Sequence, residues 1–517
     1  MQVLYRNLYT AEQSRMLDKG AIDTQGIAGY TLMNAAGTAV FQHYCRRWPL
    51  TRRILVLAGP GNNGGDGYVV AHLARKAGQR VTVIGFGDPQ PGGDADRCRQ
   101  AWVESGGEIV APDALQWPEN PQREFDLVID ALLGTGLSRE PVEPMAGWIR
   151  AVNQSGLPVV AVDLPSGLNN DNGTVPGVAI SAQMTVTFIG RKRGLYTGQG
   201  PNHCGTIEFA GLSVDHAVYA AVPASARLLL ATNSESPLFP PRRRTGHKGN
   251  FGHLLVIGGG RGMAGAAIIA GSAALRAGCG LVSVAVHREN AAAVVSARPE
   301  MMVHGIENAT EIAPLLERAD AVAIGPGLGL EPWARDLWQA SSDYNGPMVV
   351  DADALNLLAE APWQRHNWVL TPHPGEAARL LGSGLKSIND DRFAAVEALQ
   401  KKYSGTVLLK GAGTLIQGNE GLPTLLRGGN PGMASGGMGD ALTGITGAFM
   451  AQGLDLETAT HYAAAAHGWA GDRAASERGE QGLLAGDLID RLGDIINGSK
   501  RQWNGDKHAP LQTVSGG

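Results

Sequence analysis

Two glycine-rich segments carry residues suited to phosphate chemistry. Residues 59–67 read GPGNNGGDG after an apolar run, and residues 436–440 read GGMGD before an apolar, helix-forming stretch. Glycine lets main-chain N–H groups approach an anion closely, and the N-terminus of a following helix favours negative charge. In the second segment, Asp440 adds a carboxylate that could accept the proton of an attacking hydroxyl. The segments therefore predict two anion-binding sites, the second with a general base.

Two further carboxylates end predicted strands in the first half of the chain. Asp130 ends LVID, and Asp163 ends VVAVD. Like charges at neighbouring strand ends repel unless a cation or a proton lies between them. Asn63, Asp130 and Ser166 offer oxygen ligands, which suit a hard cation rather than zinc. The alternative is that both aspartates cap the helices that follow.

Polar residues also follow predicted strands in the second half. Residues 410–414 read KGAGT, in which a cation, a glycine turn and a hydroxyl suit a nucleotide phosphate, although an ordinary β-turn fits as well. His373 and Glu376 could contact substrate and hold a magnesium-bound water, or they could cap a helix. Ala264 and Gly327 leave room for a flat ring. Because GxxxxGK[ST] does not occur, phosphoryl transfer here would use a fold other than that of the P-loop enzymes.

The elements that must position these residues are short apolar strands alternating with helix patterns. Such alternation predicts mainly parallel sheets, whose ligands bind beyond the carboxyl ends of the strands. The predicted strands are 54–58, 81–84, 127–130, 159–163, 254–257, 281–286, 321–324, 348–351, 368–371 and 407–410, and helical spacing is recognised from residue 69 to 76. A polar, proline-containing stretch at 232–248 reads as a linker or domain boundary. We predict two α/β domains, 1–225 and 226–500, and 501–517 reads as a disordered polar tail.

Composition narrows the class of protein further. The 517 residues include 72 glycines, about 14%, without the three-residue period of collagen. The net charge is −5, which argues against a general nucleic-acid-binding surface. The four cysteines form no CxxC pair, no apolar run reaches 18 residues, and the first residues lack the features of a signal peptide. We therefore expect a cytoplasmic, nucleotide-handling enzyme without a membrane span.

Two sets of motifs resemble known families. GPGNNGGDG, LVIDALLGTGL, AVDLPSG and GRKRGL resemble the NAD(P)H-hydrate epimerases, and HKGNFGHLLVIGGG, AIGPGLG, VVDADALNLL, TPHPGEAARLL, LLKGAGT and GNPGMASGGMGDALTGI resemble the ADP-dependent NAD(P)H-hydrate dehydratases of the ribokinase-like superfamily. Their order and the chain length resemble the fused bacterial repair enzymes. The resemblance implies two three-layer α/β/α domains, the first Rossmann-like and the second ribokinase-like.

The resemblance also implies an activity. The first domain would interconvert the R and S hydrates of NADH and NADPH, and the second would dehydrate the S form while converting ADP to AMP and phosphate. It implies Mg²⁺ in the second domain and K⁺ in the first, held by Asn63, Asp130 and Ser166. Asp163 and Lys192 would form the acid/base pair of the epimerase, and Asp440 would be the base of the dehydratase.

The implied binding residues follow from the same motifs. The hydrate would contact Asn62, Asn63, Gly64, Gly65, Asp66, Gly134, Thr135, Gly136, Leu137, Ser138, Arg139, Glu140 and Asp163 in the first domain. In the second domain it would contact Ala264, Gly327, His373 and Asp440. ADP would contact Lys410, Gly411, Ala412, Gly413, Thr414 and Gly439.

Two other functions stay open at this point. One is a small-molecule kinase of the same superfamily fused to a nucleotide-binding domain, because the GGMGD loop alone does not exclude it. The other is a scaffold that senses a dinucleotide without turnover, against which Asp163 and Lys192 both argue. We expect small-molecule partners only, with neither nucleic acid nor membrane, and a homo-oligomer. No residue plainly reads a 2′-phosphate.

Overall fold

The computed structural model describes residues 2–136, 139–232, 239 and 242–498, with side chains 2–4, 231 and 232 left aside. The described chain forms two compact units, one of residues 7–226 and one of residues 2–6 and 227–498. Among the described residues, no helix is long and apolar enough to cross a membrane.

The N-terminal unit is built on a parallel sheet. Its strands are β1 (Gln2–Tyr9), whose first residues belong to the other unit, β2 (Arg53–Ala58), β3 (Arg80–Gly85), β4 (Ile109–Val110), β5 (Leu127–Ala131), β6 (Val159–Val162), β7 (Met184–Phe188), β8 (Arg191–Lys192) and β9 (Thr206–Ala210). Its helices are α1 (Ala11–Asp23), α2 (Gly29–Arg47), α3 (Asn62–Lys76), α4 (Asp94–Glu104), α5 (Pro121–Glu124), α6 (Met145–Gln154), α7 (Gly200–His203) and α8 (His216–Ala221). The sheet order is β4-β3-β2-β5-β6-β7-β9, and every recorded pairing in it is parallel.

Helices cover both faces of this sheet. Alternate residues of β2 point to opposite faces, because side chains alternate along a strand. Ile54 and Val56 belong to an apolar cluster with residues of α2 and α3, and Leu57 belongs to a second cluster with Trp148 and Ile149 of α6. This arrangement confirms the predicted three-layer, Rossmann-like fold of the first domain.

The C-terminal unit is a second α/β fold. Its strands are β10 (Ala226–Thr232), β11 (His253–Ile257), β12 (Leu281–His287), β13 (Met302–Ile306), β14 (Ala321–Ile324), β15 (Met348–Val350), β16 (Trp368–Leu370), β17 (Thr406–Leu409), β18 (Thr414–Gln417) and β19 (Thr424–Leu426). Its helices are α9 (Ala264–Arg276), α10 (Ala291–Ala297), α11 (Ala313–Leu316), α12 (Pro332–Ser341), α13 (Ala352–Glu360), α14 (Pro374–Leu381), α15 (Leu385–Asp390), α16 (Arg392–Tyr403), α17 (Met438–Ala451), α18 (Leu456–Arg478) and α19 (Ala485–Asn497).

The second sheet runs in the order β13-β12-β11-β14-β15-β16-β17-β18-β19-β10. It is parallel except where β18 pairs antiparallel with β17 and β19. The buried helix α17 packs against α9 so closely that a Cβ on Gly444 would lie 2.0 Å from the carbonyl oxygen of Ala270. This contact holds the start of α17, and with it Asp440, over the sheet.

The close approach of α17 and α9 predicts a specific stability effect. Gly444→Ala should lower the free energy of unfolding of the C-terminal unit by at least about 2 kcal/mol, because the new methyl group meets a main-chain carbonyl that cannot move alone. The matched control is Gly493→Ala in α19, where a Cβ would find nothing within 4 Å. The control should be neutral or stabilising by up to about 1 kcal/mol, since alanine is the better helix former. Chemical denaturation of both variants measures the difference, and equal effects would contradict this account of the packing.

Candidate functional site

The first glycine segment is divided between a loop and a helix. Helix α3 begins at Asn62, with Gly61 as its N-cap, so the expectation that the helical pattern starts only at Val69 is wrong. The reason is packing: a Cβ on Gly64 would lie 1.9 Å from the carbonyl oxygen of Gly59. The close approach needs glycine and outweighs its poor helix propensity.

The three predicted cation ligands lie together beside this helix start. The Asp130 carboxylate is fully buried and accepts hydrogen bonds from the Ser166 hydroxyl (2.6 Å) and the Ser166 amide (2.8 Å). The side-chain amide of Asn63 donates to the carbonyl oxygen of Leu133 at 3.0 Å. Burial raises the pKa of Asp130 to about 6, an effect that the bonds from Ser166 oppose.

One atom of this cluster is left without a protein partner. Asn63 Oδ1 is buried and accepts no hydrogen bond in the described part of the structure. Buried polar atoms are rarely left in this state. With the Asp130 carboxylate, the Ser166 hydroxyl and the Leu133 carbonyl nearby, the cluster offers oxygen donors of the kind that hard cations prefer. The residues present therefore fit a potassium ion.

Asp163, the second carboxylate that ends a predicted strand, forms an ion pair with the buried Lys192. The Lys192 ammonium donates to Asp163 Oδ1 and, at 2.9 Å, to the carbonyl oxygen of Phe188. Asp163 Oδ1 also accepts from the Thr187 hydroxyl at 3.2 Å and from the Phe188 amide at 3.1 Å. Asp163 has a φ of 65°, and such left-handed conformations of residues other than glycine concentrate at functional sites.

Two more acidic side chains act electrostatically on this pair. Asp66 of α3 is buried, and burial together with the charges of Asp163 and Asp18 raises its pKa well above the usual range. Asp18, on α1, is an exposed residue, but desolvation of its carboxyl group by the surrounding protein raises its pKa to about 6. Lys192 lowers both of these pKa values, so one ammonium group balances a cluster of three carboxyl groups.

Part of the predicted loop 134–140 borders the cluster of Asn63, Asp130 and Ser166. A Cβ on Gly134 would lie 3.4 Å from the Asn63 side chain, and the Glu140 carboxylate lies against Gly177. Thr135 and Gly136 form a turn, and Arg139 is exposed. Leu137 and Ser138 lie outside the described residues.

The second glycine segment forms the start of α17. Gly437, at φ 86°, precedes the helix, which begins at Met438, so that Gly439 and Asp440 lie in its first turn. Amides in a first turn lack partners within the helix and are free to bind an anion. A Cβ on Gly439 would lie 3.3 Å from Lys410 Nζ. The predicted general base and the predicted nucleotide-binding lysine therefore lie in one site.

Lys410 is held by buried carboxylates. Its ammonium donates to Asp351 Oδ1 at 2.8 Å and lies 3.8 Å from Glu376 Oε2. Asp351 Oδ2 accepts from the Thr443 hydroxyl at 2.7 Å, which ties the end of β15 to α17. Burial opposes the charged form of Lys410, but the charges of Asp351 and Glu376 outweigh it and raise the pKa above its usual value.

Asp440 is the half-buried carboxylate of this cluster. Burial, followed by the negative charge of Asp351, raises its pKa to about 7, while Lys410 acts in the opposite direction. A carboxylate with a pKa near neutrality can accept a proton from a hydroxyl and release it again.

His373 and Glu376 form a capping box. The His373 amide donates to Glu376 Oε2 at 2.7 Å, and His373 Nδ1 accepts from the Gly375 amide at 2.9 Å. The helix-capping alternative is therefore present at the start of α14. Glu376 also faces Lys410, so capping does not remove it from the site.

Residues 410–414 form the turn of the β17–β18 hairpin, and a buried arginine supports it. Arg392 of α16 donates to the carbonyl oxygens of Lys410 (3.1 Å) and Gly413 (3.4 Å). The turn alternative is thus the observed conformation, with Gly411 and Ala412 in the hairpin connection and Thr414 as the first residue of β18.

The two predicted ring-contacting residues lie at the start of α9 and on the loop after β14. Ala264 is the first residue of α9, and a Cβ on Gly327 would lie 2.9 Å from the carbonyl oxygen of Met263. Asp353 accepts a hydrogen bond from the Gly329 amide at 2.8 Å and also raises the pKa of Asp440. The loop carrying Gly327 therefore borders the Asp440 site.

Several residues of the two sites were not predicted. Asp351 could have been found, because it follows a buried strand as Asp130 and Asp163 do. Arg392, Thr443 and His467 have no such signal, since they belong to helices, Arg392 at the start of α16 and the other two within α17 and α18. His467 Nε2 lies 2.9 Å from the carbonyl oxygen of Met438, and burial lowers its pKa to about 4, so it is neutral.

The two units define a fusion of two α/β enzyme domains, and two family models match them. Residues 29–194 match the YjeF-related protein N-terminus, and residues 254–493 match NAD(P)H-hydrate dehydratase. The bifunctional NAD(P)H-hydrate repair enzyme Nnr of Coxiella burnetii is 46% identical over 498 residues, 96% of this chain and 100% of the relative. The enzyme of the same name from Escherichia coli is 43% identical over 501 residues, which are 97% of this chain and 96% of the relative. The chain belongs to the bifunctional NAD(P)H-hydrate repair enzymes.

A solved structure is also similar to the C-terminal half. The ADP/ATP-dependent NAD(P)H-hydrate dehydratase from Bacillus subtilis, co-crystallised with ATP and Mg²⁺, is 27% identical, with a TM-score of 0.44, and the match covers 50% of this chain and 93% of that one.

The raised pKa of Asp440 predicts a pH-dependent stability. Since folding raises this pKa from the usual 3.8 to about 7, the folded state loses stability as pH rises through that window. Asp440→Asn should therefore raise the melting temperature at pH 8 relative to wild type, and much less at pH 4. The corresponding gain in the free energy of unfolding at pH 8 is on the order of 2 kcal/mol after allowance for solvent screening. The control is Asp490→Asn, at an exposed position of α19. A melting-temperature difference that does not change between pH 4 and pH 8 would contradict the assignment.

Proposed function

We propose that Asp440 is the general base of an ADP-dependent dehydration of (S)-NAD(P)H hydrate in the C-terminal unit. Its carboxylate takes the proton of the ring hydroxyl, and that oxygen attacks the β-phosphorus of ADP. A P–O bond forms to the hydrate, the bond to the α-phosphate oxygen breaks, and AMP leaves. Free first-turn amides of α17 are positioned to bind the charge that develops on the phosphoryl oxygens.

The phosphorylated hydrate then loses phosphate. The lone pair of the ring nitrogen expels phosphate from the neighbouring carbon, and loss of a proton from the next ring carbon restores the double bond of the dihydronicotinamide. Phosphorylation is needed because hydroxide is a poor leaving group and phosphate is a good one. ADP is therefore a co-substrate, consumed once per hydrate repaired.

The carboxylates around Lys410 fit a magnesium ion that arrives with the nucleotide. Mg²⁺ is usually held by one or two carboxylates together with substrate phosphates and water. Asp351 and Glu376 would supply these carboxylates, and the ion would neutralise phosphate charge. Lys410 balances the same carboxylates before the nucleotide binds, and the turn 410–414 with Gly439 would contact the ADP phosphates. Ala264, Gly327 and His373 would border the hydrate.

Asp163 and Lys192 carry the proposed epimerase activity of the N-terminal unit. Inversion at the hydroxyl-bearing carbon requires a bond to that carbon to break and to re-form on the other face, and a proton must move as it does so. The buried pair holds one proton donor and one acceptor in contact. Residues 62–66 and 134–140 would hold the hydrate. Asn63, Asp130 and Ser166 would hold K⁺, which would neutralise the charge of the Asp130 carboxylate.

Further aspects belong to the same proposal. We assign the epimerase domain to 1–225 and the dehydratase domain to 226–500. The cytoplasm suits the enzyme, because Cys45, Cys98, Cys204 and Cys279 are all free thiols, which persist in a reducing compartment. Assembly into a homo-oligomer stays a prediction.

The observation that carries the dehydratase assignment is the position of Asp440 in the first turn of α17, beside the Lys410 ion pair. Asp440→Asn should reduce dehydration of the S hydrate at least about 10²-fold, because the amide cannot accept the proton. AMP release and the near-ultraviolet absorbance of reduced nicotinamide measure the loss, with Asp490→Asn as the control. Near-normal turnover would remove Asp440 from the role, and a stable phosphorylated product would indicate a kinase instead.

The two activities should be separable by mutation. Asp163→Asn or Lys192→Met should reduce the rate of R-to-S conversion, after subtraction of the spontaneous rate, at least about 10²-fold. The reason is that each substitution removes one partner of the proton-transfer pair. Dehydration of purified S hydrate should continue at the wild-type rate in both variants. Chromatographic separation of the epimers without ADP measures the first activity. Loss of both activities would argue against separate sites.

A further inference from the structure

The order of strands in the N-terminal unit reverses beside the first glycine segment. Strand β2 lies between β3 on one side and β5 on the other, and α3 starts directly after β2. In open parallel sheets of this order, dinucleotides lie across the crevice at the reversal, with the diphosphate at the helix start. One half of the dinucleotide then lies over each side of the sheet.

The proposed epimerase chemistry fixes which half lies where. Asp163 follows β6 and Lys192 lies beyond β7, so the reacting nicotinamide ring belongs on the β5–β6–β7 side. The adenosine half must therefore extend over β3. This step, and the inference built on it, rests on the proposed function.

An ion pair lies just beyond the end of β3, beside the glycine segment. A Cβ on Gly87, at φ 122°, would lie 3.5 Å from Pro60, so the loop after β3 packs on the glycine segment. Asp88 of this loop pairs with Arg99 of α4 at 3.2 Å. The Tyr68 hydroxyl is buried, faces Gly85 and interacts electrostatically with Arg99.

We propose that Asp88 and Arg99 read the 2′ position of the adenosine ribose and let the epimerase accept both NADHX and NADPHX. Asp88 follows the glycine segment by about 20 residues, the spacing at which an acidic residue accepts from a ribose 2′-hydroxyl in dinucleotide-binding sheets, and a nearby arginine accommodates a 2′-phosphate.

The two side chains differ in solvent exposure, and therefore in how freely they can move when a 2′-phosphate binds. The Asp88 side chain is 85% exposed, and that of Arg99 is 33% exposed. With NADHX, Asp88 accepts a hydrogen bond from the 2′-hydroxyl while it stays near Arg99. With NADPHX, the 2′-phosphate takes the place of the Asp88 carboxylate on the Arg99 guanidinium, and the exposed carboxylate moves into solvent. Arg99 is thus decisive for the phosphorylated hydrate only.

The test is a comparison of KM for the two hydrates in epimerisation assays without ADP, so that the dehydratase does not turn over. Arg99→Met should raise KM for NADPHX at least about 5-fold and leave KM for NADHX within about 2-fold. Asp88→Ala should raise KM for NADHX about 3-fold without raising KM for NADPHX, because it removes both the acceptor for the 2′-hydroxyl and a charge that repels the 2′-phosphate. The control is Arg97→Met, since Arg97 lies on the same helix but pairs with Asp94.

Equal effects of Arg99→Met on both hydrates, or the same NADPHX effect from Arg97→Met, would overturn the inference. Binding of 2′-phospho-ADP-ribose to the full chain keeps the test independent of turnover, and the comparison of variants cancels any binding in the dehydratase domain, because that domain is the same in all of them. Arg99→Met should weaken this binding at least about 5-fold relative to wild type, and unchanged binding also overturns the inference. An absence of epimerisation in wild type with intact, Arg99-dependent binding would instead reject the proposed function and keep the 2′ subsite.

Discussion

Each unit buries one lysine among several carboxylates at the carboxyl edge of a parallel sheet. A buried charge is tolerated only where an opposite charge and hydrogen bonds replace its hydration. Lys192 supplies that charge to Asp163 and its acidic neighbours, and Lys410 supplies it to Asp351 and Glu376. The remaining excess of negative charge favours cations and raises the pKa of nearby carboxyl groups, which are the properties that proton transfer and phosphate chemistry need.

The backbone around these lysines is held in place by close packing. Asp163 and Ala352, at the ends of β6 and β15, both have positive φ without being glycine, and such conformations persist only where the surroundings impose them. The glycines of both motifs serve two purposes. Gly59, Gly64 and Gly444 allow main chains to approach within a distance that no Cβ could occupy, whereas Gly439 leaves space beside Lys410 Nζ.

Much of the fold and part of each site could be predicted from the sequence. Buried parallel strands are continuous apolar runs, so β2, β5, β11 and β14 are visible as such, and motifs at their ends fall at one edge of a sheet. Prediction is weaker where one sequence permits two conformations. The segment TPHPGE caps α14, and KGAGT is a hairpin turn, yet Glu376 and Lys410 still face each other.

The sequence by itself determined the two α/β domains, the anion-binding glycine segments and the family, because these depend on local pattern and on motif order. Only the tertiary structure decided which charges neutralise one another. Asp163 pairs with Lys192 rather than sharing a cation with Asp130, and Arg392, Thr443 and Asp18 join the sites from helices whose sequences carry no signal of it. Electrostatic interaction acts through space, so it depends on distances that the order of residues along the chain does not specify.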